Sequence, residues 1–394
     1  MRSAKEELYS DLINHVSVLR KKKGQEQQST ITEYQRLIDE QLPAEFLSKI
    51  ITNETEFLFK ESDKDIEGFF NVILTVLHKL ENDAINIISQ KIRDCLSVNP
   101  TENSQLKIKI LTNFFNSFPV KSQQRYEIFY ILIKSASEAN HFEFIKSQIK
   151  DLDLWLEDWS SNTKQKRKIY QLVSNIFKEK NNMLSHQFLF KFLQTFTKDD
   201  ASEAQEESVR ACIEAISIPE LYQSDYLLDL AAIQYLENST VDKNRLTYSL
   251  MKIFATEQLE HYLAFQTKHP EFIQSIGLKN EQCLQKIRLL SLATLTAEQS
   301  KVPYSLISKM LQIEEDKVES WVINAIAGEL IDAKLDQLNR IVNVNSSTQR
   351  VFNKSQWAQL GLHFGAWHES VKNLLNVIET AKNTQVKPFY FQSR

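Results

Sequence analysis

The sequence predicts a chain dominated by α-helix: a right-handed helical-repeat solenoid, then a winged helix with a small β-hairpin, then one long C-terminal helix. Three observations carry this. Glycine and proline are scarce, six and seven among 394 residues, which removes the punctuation that sandwiches and glycine-turned α/β folds depend on. Apolar residues recur at three and four along most of the chain, in segments of about ten to twenty residues. Only between Lys301 and Asn345 does that period give way to alternation. A chain of 394 residues also exceeds what one hydrophobic core supports, so more than one sub-domain is expected.

The first helix is predicted over residues 6–23, with Leu8, Leu12, Ile13, Val16 and Leu19 on one face. It ends in Arg20, Lys21, Lys22 and Lys23 before Gly24, which reads as a helix C-terminus lined with cations rather than as a targeting patch. After a polar loop at 25–29, helical patterns occupy 31–51 (broken near Pro43), 66–80, 84–96, 106–118, 126–133, 142–149, 168–177 and 184–196. Pro100 and Pro119 fall at junctions, where helix breakers belong. Short polar linkers between such helices imply antiparallel pairs stacked in series. No period is strict enough to name, and the tetratricopeptide consensus is absent. Trp155 and Trp159 sit among Leu152, Leu154 and Leu156, so a packing role is expected over a partner anchor. Residues 160–168 (SSNTKQKRK) read as a solvated linker, with RNA contact through Lys164, Lys166, Arg167 and Lys168 as the alternative.

A polar break at 197–207 marks the main boundary. The expected division is N-terminal repeats at 1–204, a second module at 205–350 (repeats 205–299, winged helix 300–350), a heptad helix at 352–380 and a flexible tail at 381–394. Within the second module, helices are predicted over 209–218, 226–236, 244–254 and 259–265, with Pro219 and Pro270 as stops, and a longer one over 281–295. Leu306, Ile307, Met310 and Leu311 then form a short amphipathic helix after Pro303. A second opens on Glu314, Glu315 and Asp316 and carries Val318, Val322, Ile323, Ile326 and Leu330. Ile331, Ala333 and Leu335 alternate with Asp332, Lys334 and Asp336, and residues 340–344 pair back on that strand. Asn353 with Gln356 suggests a capping box, and Phe352 with Trp357 a hydrophobic staple. From there Trp357, Leu360, Phe364, Trp367, Val371, Leu374 and Ile378 recur as an a/d seam, which buries only against another helix.

Several function classes are unsupported. No phosphate-cradling GxxxxGK or GxGxxG and no GxSxG elbow occurs. His368-Glu369 lacks a second histidine at zincin spacing, and His141-Phe142-Glu143 lacks the paired cysteines of a zinc deaminase. No catalytic residue, cofactor or metal is therefore expected. The net charge of −4 gives no field for nucleic acid, and the acidic start of the second winged-helix element would repel a phosphate backbone. Arg340 and Arg350, near the wing, stay open as RNA-backbone contacts or solvated surface. Cys95, Cys212 and Cys283 are isolated, as reduced core thiols are. The N-terminus is charged where a secretory leader needs apolar residues, and the strongest apolar run, 69–77, is about half the ~20 residues that span a bilayer. A soluble cytoplasmic protein is expected.

Helical repeats ending in a winged helix that does not read DNA resemble the PCI domain family, found in the proteasome lid, the signalosome and translation initiation factor 3. The resemblance rests on Ile307, Leu311, Ile313, Val318, Glu319, Val322, Ile326 and the run LIDAKLDQ at 330–337. Segments 225–237, 268–292 and 347–367 resemble the subunit M branch of initiation factor 3, and the similarity is architectural alone before about residue 205. It implies a non-catalytic scaffold with other PCI and MPN subunits as partners. The complex would sit on the small ribosomal subunit and support 43S preinitiation complex formation and mRNA recruitment, with no membrane or small-molecule substrate. The docking surfaces expected are a hairpin edge at Ile341, Val342 and Val344 and the seam from Trp357 to Ile378. The alternatives are a PCI subunit of the lid or signalosome, or a free-standing RNA-binding adaptor.

Overall fold

The computed structural model describes residues 4–22, 28–40, 42–59, 62–350 and 354–384. The chain divides into two compact units, 1–195 and 196–394.

The first unit is helical: α1 (Ala4–Lys22), α2 (Gln28–Asp39), α3 (Pro43–Leu58), α4 (Asp63–Leu77), α5 (Asn82–Ser97), α6 (Ser104–Ser117), α7 (Gln124–Glu138), α8 (Phe142–Gln148), α9 (Leu152–Asp158), α10 (Thr163–Phe177) and α11 (Asn182–Gln194). Each helix packs on a near neighbour in sequence: α3 on α5, α4 on α6, α5 on α7, α6 on α7, α10 on α11. This is a repeat of local helix pairs. With so few glycines, the tight junctions use asparagine in the left-handed region, at Asn99, Asn103 and Asn140. Asparagine tolerates that conformation because its short side chain bonds locally.

Trp155 and Trp159 do pack. Their rings meet each other and Phe115 and Phe129 with centroids 5.4 to 5.9 Å apart, and Trp159 is buried. The basic segment differs from expectation. Residues 163–168 are not a linker but the opening of α10, because Asn162 and Gln165 form a complete capping box. Ile169, Tyr170 and Val173 then bury the helix's apolar face. Arg20, from the terminal run of α1, turns inward to Glu54 at 2.6 Å, and the Tyr34 hydroxyl donates to the same carboxylate at 2.8 Å. That buried carboxylate ties α1, α2 and α3 together.

The second unit begins with a 3-10 turn at Ala201–Ala204, where a polar break was predicted. There follow α12 (Gln205–Ser217), α13 (Ala231–Glu237), α14 (Asp242–Thr256), α15 (Leu259–Lys268), α16 (Pro270–Ser275) and α17 (Asn280–Glu298). Pro270 opens α16 rather than ending a helix, a position that needs no backbone donor. Then come β1 (Lys301–Pro303), α18 (Tyr304–Leu311), α19 (Val318–Ala327), β2 (Ile331–Asp336), β3 (Ile341–Ser347) and α20 (Lys354–Thr384).

The strands form an antiparallel sheet in the order β1-β3-β2. Val342 stands opposite Val302 on one side and Leu335 on the other. The predicted hairpin is thus two strands of three. β1 escapes a sequence reading because three residues are too few for alternation to register. Val302, Ile307, Leu311, Val318, Val322, Leu330 and Val342 close a core that α17 completes with Leu292, Ala293 and Leu295. The winged helix is therefore packed onto the end of the helical array.

Candidate protein-interaction surfaces

Two buried cations fasten this module. A helix leaves its last carbonyls without partners, and a cation there satisfies both hydrogen bonding and the dipole. Lys286 of α17 donates to the Ala215, Ile216 and Ile218 carbonyls at 2.6, 3.3 and 2.6 Å, at the end of α12. Burial pushes its ammonium down to about 7. Arg350 does the same for α14, donating to the carbonyls of Ile253, Phe254 and Glu257. Burial lowers its guanidinium to about 10. Arg350 is 8 % exposed, so it is neither of the two things the sequence left open, an RNA-backbone contact or solvated surface. Its charge is consumed by carbonyls about a hundred residues upstream in sequence, a pairing no local pattern reveals.

The remaining basic candidates differ in exposure and pairing. Lys164 and Lys168 are exposed and Lys166 half-buried. Arg167 is bound to the Thr195 carbonyl and hydroxyl, both at 3.0 Å, at the end of α11. Arg340 is exposed and pairs with Glu315 at 3.4 Å. The acidic opening of α19 is engaged within the module: Tyr304 at the start of α18 and Gln337 in the turn after β2 both donate to Glu319, at 3.3 and 2.8 Å. That geometry turns the wing toward the helix that would otherwise enter a groove.

The expected hairpin edge at Ile341, Val342 and Val344 is corrected by the sheet order. β3 is the central strand, hydrogen-bonded on both sides, so it offers no free edge. Val342 is fully buried, and Ile341 and Val344 are half-buried. The edges belong to β1 and β2. Of these β2 is the longer, and its exposed Asp332 and Lys334 are the charges by which an edge strand avoids indiscriminate pairing. Leu338, at the tip of the turn after β2, is 93 % exposed, a feature the sequence reading passed over because a lone leucine in a turn carries no period.

The seam residues lie on α20. Trp357, Phe364, Trp367, Val371, Leu374 and Ile378 are all more than half exposed, and Leu360 is half-buried. Phe364 and Trp367 pack edge to face at 5.9 Å, so part of the seam is pre-formed. Leu362, Leu375 and Val377 widen the apolar surface beyond the seam. The helix runs 31 residues, longer than the seam itself and roughly 46 Å at about 1.5 Å per residue. The predicted cap at Phe352 and Asn353 lies outside the described residues.

Among the described residues no group of three or more His, Cys, Asp or Glu side chains is placed to hold a metal ion, and no helix is long and apolar enough to cross a membrane. Comparison with known proteins locates the two surfaces in families. Residues 266–346 match the PCI domain, and residues 350–378 match the family described as eIF3 subunit M, C-terminal helix. A Dictyostelium discoideum protein named eukaryotic translation initiation factor 3 subunit M is 72 % identical over 393 residues, covering 99 % of this chain and 98 % of that one. Proteins of the same name from Phaeosphaeria nodorum and Homo sapiens are 29 % and 28 % identical, covering 96 % and 85 % of this chain and 87 % and 88 % of theirs. An array of helices closed by a PCI winged helix, an exposed apolar C-terminal helix and end-to-end identity of this degree place the chain in the eukaryotic translation initiation factor 3 subunit M family.

Proposed function

We infer that this chain is a non-catalytic scaffold subunit of eukaryotic translation initiation factor 3, acting in the cytoplasm. Its partners are other PCI and MPN subunits of that complex and, through the complex, the small ribosomal subunit. There it supports 43S preinitiation complex formation and mRNA recruitment. The observation that carries this reading is α20, a helix whose described side chains from 361 to 382 are all exposed although many are large and apolar. An exposed apolar surface of this extent is what a protein-interaction site presents. The cover that such a heptad stripe fits is the apolar stripe of another subunit's helix. The open edge of β2 supplies a second surface, through strand-to-strand pairing with a neighbouring winged helix.

Purification of the tagged full-length chain from cells tests this, with recovery of initiation factor 3 subunits as the expected result. Leu374→Glu, toward the C-terminal end of the seam, should release the chain from those subunits while leaving its own fold intact. Recovery of proteasome lid or signalosome subunits instead would overturn the reading, and assembly that survives Leu374→Glu would remove the seam from it.

A further inference from the structure

A cavity of about 770 Å³ opens in the first unit, walled by α3, α5, α6 and the loop between α5 and α6. Small-molecule sites occupy about 300 to 1,000 Å³, so this one is large enough for a ligand of a few residues. Among its lining groups is the ammonium of Lys107, a side chain that is 3 % exposed. Its Nζ donates to the Val98 and Asn99 carbonyls at 2.7 and 2.8 Å and stands 4.8 Å from the centre of the Phe59 ring. An ammonium has three N–H donors, and the two carbonyls leave one for an occupant.

The other lining groups define the ligand's chemistry. Lys91 and Lys107 are balanced by Asp94 and Glu102, Asn99 supplies a side-chain amide, and Ile51 with Phe59 forms an apolar strip. An acyl chain would strip water from four charges without pairing them. A polyphosphate would meet two carboxylates. A small zwitterion with its own amides meets each sign with its opposite. Cys95 stands on the same wall and is half-buried, whereas Cys212 and Cys283 are buried. Burial lowers the Lys107 ammonium, and the Cys95 thiolate and the Glu102 carboxylate act against that, which sets both charges within electrostatic reach of the cation.

We propose that this cavity binds a small zwitterionic peptide thiol of the glutathione class and that Cys95 is joined to it by thiol–disulfide exchange. The Cys95 thiolate, having given its proton to water, attacks one sulfur of the peptide's disulfide. A bond forms between Sγ and that sulfur as the disulfide bond breaks. The departing half leaves as a thiolate and is protonated by water. The disulfide is the oxidant, and no other is required.

Incubation of the native full-length chain with oxidised glutathione, followed by peptide mass spectrometry, should find the adduct on Cys95 and not on Cys212 or Cys283. Hydroxyethyl disulfide, which is neutral, is the control for simple accessibility. The preference of Cys95 for oxidised glutathione over this control should be about tenfold, the factor that one ionic contact of about 1.4 kcal/mol confers. Lys107→Met should abolish that preference, read as the ratio of the two rates so that any loss of Cys95 thiolate common to both disulfides cancels. Lys91→Gln, at the less buried cation, should reduce it in the same sense and keeps the test open if Lys107→Met disturbs the fold. Equal rates with both disulfides in the unaltered chain, or a preference that survives both substitutions, would show Cys95 to be merely exposed and overturn the proposal.

Discussion

Replacing Lys286 by methionine should cost the fold little near neutral pH and progressively more as pH rises. Methionine keeps the length and apolar stem and removes the three bonds to the end of α12. A hydrogen bond to a charged group is worth about 1.5 to 3 kcal/mol, so the two short ones contribute roughly 3 to 6. Against them stands the penalty for a buried charge. Burial brings the ammonium from its ordinary 10.5 to about 7. At about 1.4 kcal/mol per pH unit that is a charging cost of about 5 kcal/mol, so the two effects nearly offset at neutral pH. Above it they separate. The folded chain releases its Lys286 proton near pH 7, while the unfolded chain holds it to about 10.5. Between those values the unfolded state binds more protons, and stability must rise with pH. From about pH 7 to about pH 9 the wild type should therefore gain about 2 kcal/mol over Lys286→Met. Urea unfolding of both proteins, followed by far-ultraviolet circular dichroism at each pH, measures the difference. Groups that do not interact with Lys286 cancel from it, including Cys212, which burial raises to about 12, whereas Cys283, whose thiol burial raises and Lys286 partly lowers, is raised further in Lys286→Met. A difference that stays constant or reverses over that range would refute the reasoning, showing that Lys286 is charged in the folded state throughout.

Further outcomes follow from single side chains. Arg350→Met should lower stability by about 1.5 to 3 kcal/mol and raise amide exchange at the end of α14, because it removes the cation bound to those carbonyls. Trp159→Ala should cost about 3 to 5 kcal/mol in urea unfolding, as removal of a buried aromatic leaves a cavity between Phe115 and Phe129. Asn162→Ala should cost about 1 kcal/mol and fray only the first turn of α10 in hydrogen exchange. Leu374→Glu, by contrast, should leave the unfolding midpoint of the isolated chain within about 0.5 kcal/mol of wild type, since the side chain is exposed before any partner arrives.

The helices of this protein are legible in its sequence because each one announces itself within a few turns: apolar residues at three and four, a cap, a proline or a run of polar residues at the end. The helix α20 belongs to this class, since its apolar heptads are read without any reference to the rest of the fold. The two strands with six or more residues declared themselves by alternation. What the sequence could not decide is everything set by groups distant along the chain. β1, three residues long, turns β3 from an edge into a central strand and moves the open edge to β2. Arg350 and Lys286 read as ordinary cations and are spent on carbonyls about 95 and 70 residues away. Local periodicity records which face of an element is apolar, whereas strand order and the pairing of buried charge are properties of the assembled core. Only the tertiary structure brings those groups within bonding distance.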